Sequence, residues 1–284
     1  MRQYREKAAD GPDRVRRLHR RLAGQPRCRA AKGDRGGCGM DSDKNVPRPS
    51  GYHRAERGLS SPELPGSEAC LEAIFVLSTE GEEVRAARVA EYLGVSAVTV
   101  SKGLRRLEEA GMVVARTPVI RLSPEGWRQA GLVVRRHRLL ERWLADRLGL
   151  GLVEAHREAE RLEHAMSPVV TEALWRDLGA PGTCPHGNPI PDEDGVIPHI
   201  VEAVPLVEAL EGPARIDRIF EQLEGLEPLL HWVEEHELLP GRQITIMGRS
   251  PEGIALGAPG GALTTVPDVV ARRLLVVPGA TLPG

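Results

Sequence analysis

From Ser67 onward apolar residues recur at helical spacing, and beyond Ala214 they gather in short runs broken by Gly and Pro. Leu71, Ile74, Phe75 and Leu77 fit one helix, with Ser67 placed to cap it and Gly81 to end it. A second helix spans about residues 85–92, turns Val89 and Leu93 inward and stops at Gly94. Ser96 then opens a third, running to about Ala110 with Val100, Leu104 and Leu107 inward and Gly111 after it. Two short helices joined by a tight Gly-containing turn predict a helix-turn-helix. Strands at Met112–Arg116 and Val119–Ser123, turned at Thr117-Pro118, add a wing.

Pro124 suits the first turn of the next helix, which needs no donor there, and the pattern carries that helix from about Glu125 to Leu148, before Gly149. A helix over 152–166 and another over Pro168–Leu178 follow. Val133, Leu140, Leu144, Leu148, Val153, Leu162, Val169 and Leu174 offer more apolar surface than one winged module needs, which predicts a helical dimer interface. Gly179–Pro198, dense in Gly and Pro, predicts loop. Strands near 214–220, 242–248, 253–257, 262–266 and 273–277, with a helix near 225–237, predict a small antiparallel barrel. The fold class is mainly helical with small β parts.

Charge changes the picture at the start of the chain. Residues 1–60 hold 16 Lys and Arg against 7 Asp and Glu, whereas the rest of the 284 residues hold 22 against 33. Residues 1–62, rich in Arg, Gly, Pro and Ser, cannot bury enough apolar surface to offset ordering, so disorder is expected. Such a segment is either a basic arm for phosphates or the product of a start assigned too early, with Met40 the true start. There is no apolar run of about 18 residues and no secretory h-region. Cys28, Cys38, Cys70 and Cys184 form no C-x-x-C pair, and reduced thiols point to the cytoplasm.

Two sets of residues carry candidate chemistry. On the third helix Ser96, Val98, Thr99, Ser101, Lys102, Arg105 and Arg106 face away from its apolar residues, with Arg88 on the helix before. Short hydroxyls and cations near a helix N-terminus are groups that reach phosphates and base edges in a major groove. In the helix over 152–166, His156, Glu160, Glu163 and His164 fall at i, i+4, i+7 and i+8, one stripe of imidazole and carboxylate. A divalent cation would relieve their mutual repulsion; the alternative is a solvated polar face. His137 and Glu141 repeat the pairing at i, i+4 on the long helix. Cys184 and His186, hemmed by Pro185 and Gly187, read as a rigid packed loop rather than ligands, and His199, His231 and His236 have no partners at ligand spacing.

The wing, V-R-R-H-R-L-L-E-R on the long helix, H-R-E-A-E-R-L-E-H-A-M-S, and C-P-H-G-N-P-I-P at 184–191 occur in that order. Over about residues 63–277 the chain resembles the diphtheria toxin repressor and manganese transport regulator family. The resemblance implies a winged DNA-binding domain at 63–126, a helical dimerisation and metal domain at 127–198, and an SH3-like domain at 199–284. It implies a homodimeric, metal-activated repressor of metal-uptake genes that binds palindromic double-stranded operator DNA and is not an enzyme. By position it assigns His137, Glu141 and His156 to an ancillary metal site, and Glu160, Glu163 and His164, with Glu72, to a primary one. Glu160 stands where iron-type members place Cys, which favours Mn²⁺, with Fe²⁺ the alternative. Ala69 stands where the family has a ligating Met or Asp, leaving water, Glu68 or Cys70 to complete the site. Arg218 and Glu221 fall where iron-type members take ligands from the SH3-like domain, and only Glu221 could ligate.

Residue types alone leave two other classes open. One is a winged-helix regulator of a non-metal ligand. The other is a binuclear-metal enzyme, against which stands the lack of any Glu-x-x-His or H-E-x-x-H.

Overall fold

Three helices and a hairpin make the first layer: α1 Glu68–Thr79, α2 Ala86–Tyr92, α3 Ala97–Glu109, β1 Val113–Ala115 and β2 Arg121–Leu122. The computed structural model describes residues 66–116, 118–197, 201–221, 227–257 and 263–279, so the expectations for residues 1–62, His199 and the end of the tail lie outside it. Ser96 caps α3 as expected, accepting from the Thr99 N–H at 3.2 Å. Ser67 does not cap α1: it is buried, its backbone is helical and it makes no cap bond. The core joins Ile74, Phe75, Val89, Val100, Leu107 and Ile120 to Ala130 and Val134 of the following helix. Gly103 lets α3 approach α1, since a Cβ there would lie 2.8 Å from Cys70 Sγ and 2.9 Å from the Gly66 carbonyl.

Helix α4, Pro124–Leu148, starts at Ser123, whose hydroxyl accepts from the Gly126 N–H at 3.0 Å, and ends at Gly149 in the left-handed region. Helix α5 spans only Leu152–Leu162, followed by a 3₁₀ turn at Glu163–Ala165 and then α6, Pro168–Asp177. The helix expected over 152–166 is thus four residues too long. Pro168 restricts Ser167 to extended backbone, φ −79° and ψ 157°, but the chain has already left the helix at Met166, ψ 123°, after the 3₁₀ turn. Of the apolar residues expected to form a dimer face, Val133, Leu140, Leu144 and Val153 are consumed inside the chain, while Leu148, Leu162, Val169 and the neighbouring Val170 are exposed.

The Gly/Pro-rich segment is loop, as expected, but a pinned one. It runs back along α4: Arg142 donates to the Cys184 carbonyl, Arg138 to that of Pro189, and Arg135 to that of Pro191 at 2.6 Å. Gly131 and Gly195 then meet backbone to backbone; a Cβ on Gly131 would lie 1.9 Å from the Gly195 carbonyl oxygen. Ile197 finally packs against the winged-helix core.

The remainder is one antiparallel sheet. Its strands are β3 Val204–Pro205, β4 Gly212–Ile219, β5 Gln243–Ser250, β6 Gly253–Gly257, β7 Leu263–Val266 and β8 Leu274–Pro278, in the order β3-β8-β4-β5-β6-β7. Helix α7, Glu227–Glu235, and the short α8, Asp268–Ala271, complete it. The five expected strands are present; two-residue β3 and α8 carry too little pattern to be read. This arrangement is consistent with an SH3-like domain. Its core of Ile216, Ile219, Leu230, Val233, Ile254 and Leu274 also takes in Leu152 and Val153 of α5. Cores are therefore shared across the borders drawn from sequence at residues 126 and 198. Among the described residues no helix is long and apolar enough to cross a membrane.

Candidate metal centre and nucleic-acid interface

Helix α4 places His137 and Glu141 one turn apart on its buried face, and α5 brings His156 across to them. Glu141 Oε1 lies 3.0 Å from both His137 Nε2 and His156 Nδ1, and the two imidazoles approach to 3.2 Å. Glu163, the first residue of the 3₁₀ turn, is buried, and its Oε2 sits 2.7 Å from His137 Nδ1. Helix α1 supplies Glu72, 3.9 Å from the same nitrogen. On the other side of Glu141, His186 Nδ1 lies 3.4 Å from Oε2, and Cys184 Sγ is 3.8 Å from that nitrogen. Both are completely buried or nearly so.

Among the described residues three groups of donors result, each with ligand atoms within 4.8 Å of one another: Glu72–His137–Glu163, His137–Glu141–His156 and Glu141–Cys184–His186. They overlap at His137 and Glu141. The first is two carboxylates and an imidazole, suited to Mn²⁺ or Fe²⁺; the third adds a thiol and is softer. Carboxylates, imidazoles and a thiol gathered out of water fit a divalent cation.

The electrostatics agree. Burial works against charge on His137, but Glu141 and Glu163 outweigh it and raise its pKa well above the ordinary imidazole value. Burial would raise Glu141, yet His186, His137 and His156 together hold it well below the carboxylate range. Burial, then the negative charges of Glu163, Glu221 and Glu160, push Glu72 well above that range. A buried site whose carboxyl holds its proton and whose imidazole gains one is a site short of positive charge.

Not every expected ligand joins these groups. The stripe on α5 is broken by the helix ending at Leu162. Glu160 is half exposed, its Oε1 3.6 Å from His156 Nε2. His164 turns to α1, where Glu68 Oε2 lies 3.0 Å from its Nδ1, and Glu163 Oε1 is 3.3 Å from its Nε2. Glu68, one of three candidates to stand in for Ala69, is thus beside the site, whereas Cys70 lies under Gly103 in the core. Glu221 accepts from Arg138 Nε at 2.6 Å instead of joining a donor group, and its N–H donates to Glu80, which follows α1, at 2.6 Å. Cys184 and His186, read from sequence as packing, reach Glu141; the C-x-H spacing was the available signal.

At the start of α3 and along it, Ser96, Val98, Thr99, Ser101, Lys102, Arg105 and Arg106 are all exposed, while Val100, Gly103, Leu104 and Leu107 are buried. Arg88 differs: Glu82 and Glu91 hold its guanidinium at 2.8 and 3.3 Å.

Residues 65–117 match the family model for the iron dependent repressor N-terminal DNA-binding domain, and 123–192 that for its metal-binding and dimerisation domain. The iron-dependent repressor IdeR of Mycobacterium tuberculosis is 34% identical over 220 residues, covering 74% of this chain and 96% of that protein. The diphtheria toxin repressor of Corynebacterium diphtheriae is 42% identical over 133 residues, 46% of this chain and 59% of that one. Among solved structures, a manganese-dependent transcriptional repressor in complex with manganese is 31% identical with a TM-score of 0.65, covering 73% of this chain and 99% of that one. The manganese regulator SloR is similar at 27% identity and a TM-score of 0.64, covering 74% and 97%. With two domain models matched in order and a relative aligned along almost its full length, the chain belongs to the iron-dependent repressor family of transcriptional regulators.

Proposed function

We propose that this protein is a metal-dependent repressor of metal-uptake genes, in which Mn²⁺, or Fe²⁺ as the alternative, readies a cytoplasmic homodimer for a palindromic operator. The observation that carries it is the chain of overlapping donor groups joining α1 of the winged layer to α4, α5 and the pinned loop. Glu72, His137 and Glu163 would hold one cation, with Glu160 and His164 near enough to contribute. Glu141, with His156, Cys184 and His186, would hold a second.

Before binding, negative charge on Glu72 of α1 is opposed by Glu163 of the 3₁₀ turn. A shared cation supplies the missing positive charge and ties α1 to the dimerisation helices. The spacing of two α3 helices in a dimer is then fixed, as half-sites about one turn of DNA apart require. Lys102, Arg105 and Arg106 meet phosphates, and Ser96, Thr99 and Ser101 reach bases or backbone. By linkage, operator must raise metal affinity by the factor that metal raises operator affinity. Exposed Leu148, Leu162, Val169 and Val170 are the apolar surface for the partner protomer. Operator binding measured by fluorescence anisotropy with added Mn²⁺ and with chelator tests this. Equal affinities in the two conditions would reject it.

A further inference from the structure

Helix α5 carries His156 and Glu160 but has no cap of its own. Its N-cap is Gly151, which has no side chain to accept from the first turn. A carboxylate from the C-terminal sheet domain stands there instead: the Leu152 N–H donates to Glu234 Oε1, on α7, at 3.0 Å. The glycine leaves room for the carboxylates there: a Cβ at position 151 would lie 2.7 Å from that oxygen and 2.8 Å from Oε2 of Glu154 in the first turn, both ends of side chains that can shift. Two further contacts hold α7 on α5. Arg157 Nε donates to Glu227 Oε1 at 2.7 Å, and Leu152 and Val153 are buried in the sheet domain's core. A carboxylate at this end meets free N–H groups and the positive end of the helix dipole.

We infer that Glu234 is a positioning residue for metal binding: it caps α5 from another domain and so holds the first turn, and His156 one turn further on, in the binding geometry. The inference rests on the reading that α5 donates metal ligands. By this route the sheet domain governs metal affinity without giving a ligand atom. An uncapped first turn frays, only a fraction of molecules present His156 correctly, and apparent affinity falls by that fraction.

Full-length wild type, Glu234→Ala and the double variant Gly151→Ser/Glu234→Ala are compared. Mn²⁺ affinity is read by competition with a fluorescent chelator, and hydrogen exchange of the Leu152–His156 amides is read in the metal-free proteins. Glu234→Ala should weaken Mn²⁺ binding measurably, by up to about fivefold, the full size of a lost helix cap, and speed exchange in the first turn. The backbone at 151 is extended, φ −67° and ψ 170°, as a capping serine requires, so the double variant should recover both. Unchanged Mn²⁺ affinity in Glu234→Ala, even with a lower melting temperature, would make the residue merely structural and overturn the inference. A double variant that stays weak would overturn capping as the cause. If wild type binds no Mn²⁺, the metal reading itself fails, and this inference with it.

Discussion

Replacing Glu141 with Gln keeps the shape of the side chain and removes one buried charge. Its two oxygens face three imidazoles, at 3.0, 3.0 and 3.4 Å, and the residue is 0% exposed. Deleting one member of a buried ion pair costs about 3–5 kcal/mol. Gln retains one acceptor oxygen, so the lower end, about 3 kcal/mol, is the expected loss in metal-free protein. For a chain of this size that is roughly 6–12 °C of melting temperature.

The pH dependence follows from the two shifted groups. Glu141 is depressed, so its contribution is present above its unfolded pKa and lost as pH falls through its folded one. His137 is raised, so its contribution is present below its unfolded pKa and lost as pH rises through its folded one. The gap between wild type and Glu141→Gln should therefore be widest between the two unfolded values, about 4.5 and 6.5, and shrink as pH moves outward from them towards the folded ones. Calorimetric melts of the metal-free proteins across pH measure it. A variant melting with wild type at neutral pH, or a gap that persists unchanged into acid, would refute the argument.

Three further outcomes are expected. Mn²⁺ affinity should climb as pH rises, because His137 and Glu72 both hold protons more tightly than usual and must release them to ligate; a flat profile in chelator competition would contradict this. Val169→Glu, at a position 78% exposed on α6, should shift the protein from dimer to monomer in analytical ultracentrifugation, and an unaltered dimer would remove Val169 from the interface. Lys102→Ala with Arg105→Ala should weaken operator binding and lower the slope of log K against log salt by about one for each phosphate no longer neutralised; an unchanged slope would place α3 off the DNA.

Local signals were legible where one residue decides the backbone. Ser96 caps the helix that follows, Pro124 opens α4, and Gly149 ends it in the conformation glycine favours, whereas Ser67 makes no cap bond. The change after Leu162 escapes the pattern, because the stripe of His and Glu runs on through it and Pro168 restricts only Ser167. Contacts such as Glu141 with Cys184 and His186 join residues more than forty apart, and no local periodicity reports them. Nor could Glu68 be chosen over Cys70 without knowing that Gly103 packs on one side of α1 and His164 lies on the other.

A loop of glycines and prolines normally absorbs insertions and deletions at little cost. The segment from Cys184 to Ile197 lacks that freedom, because arginines spaced along α4 grip its carbonyls and Gly131 and Gly195 are in register. It behaves as a ruler laid against the helix, with metal donors at one end and an isoleucine in the winged-helix core at the other. One residue more or fewer between Pro191 and Gly195 would slide the two ends against each other. In a family comparison, then, this stretch should vary in composition long before it varies in length.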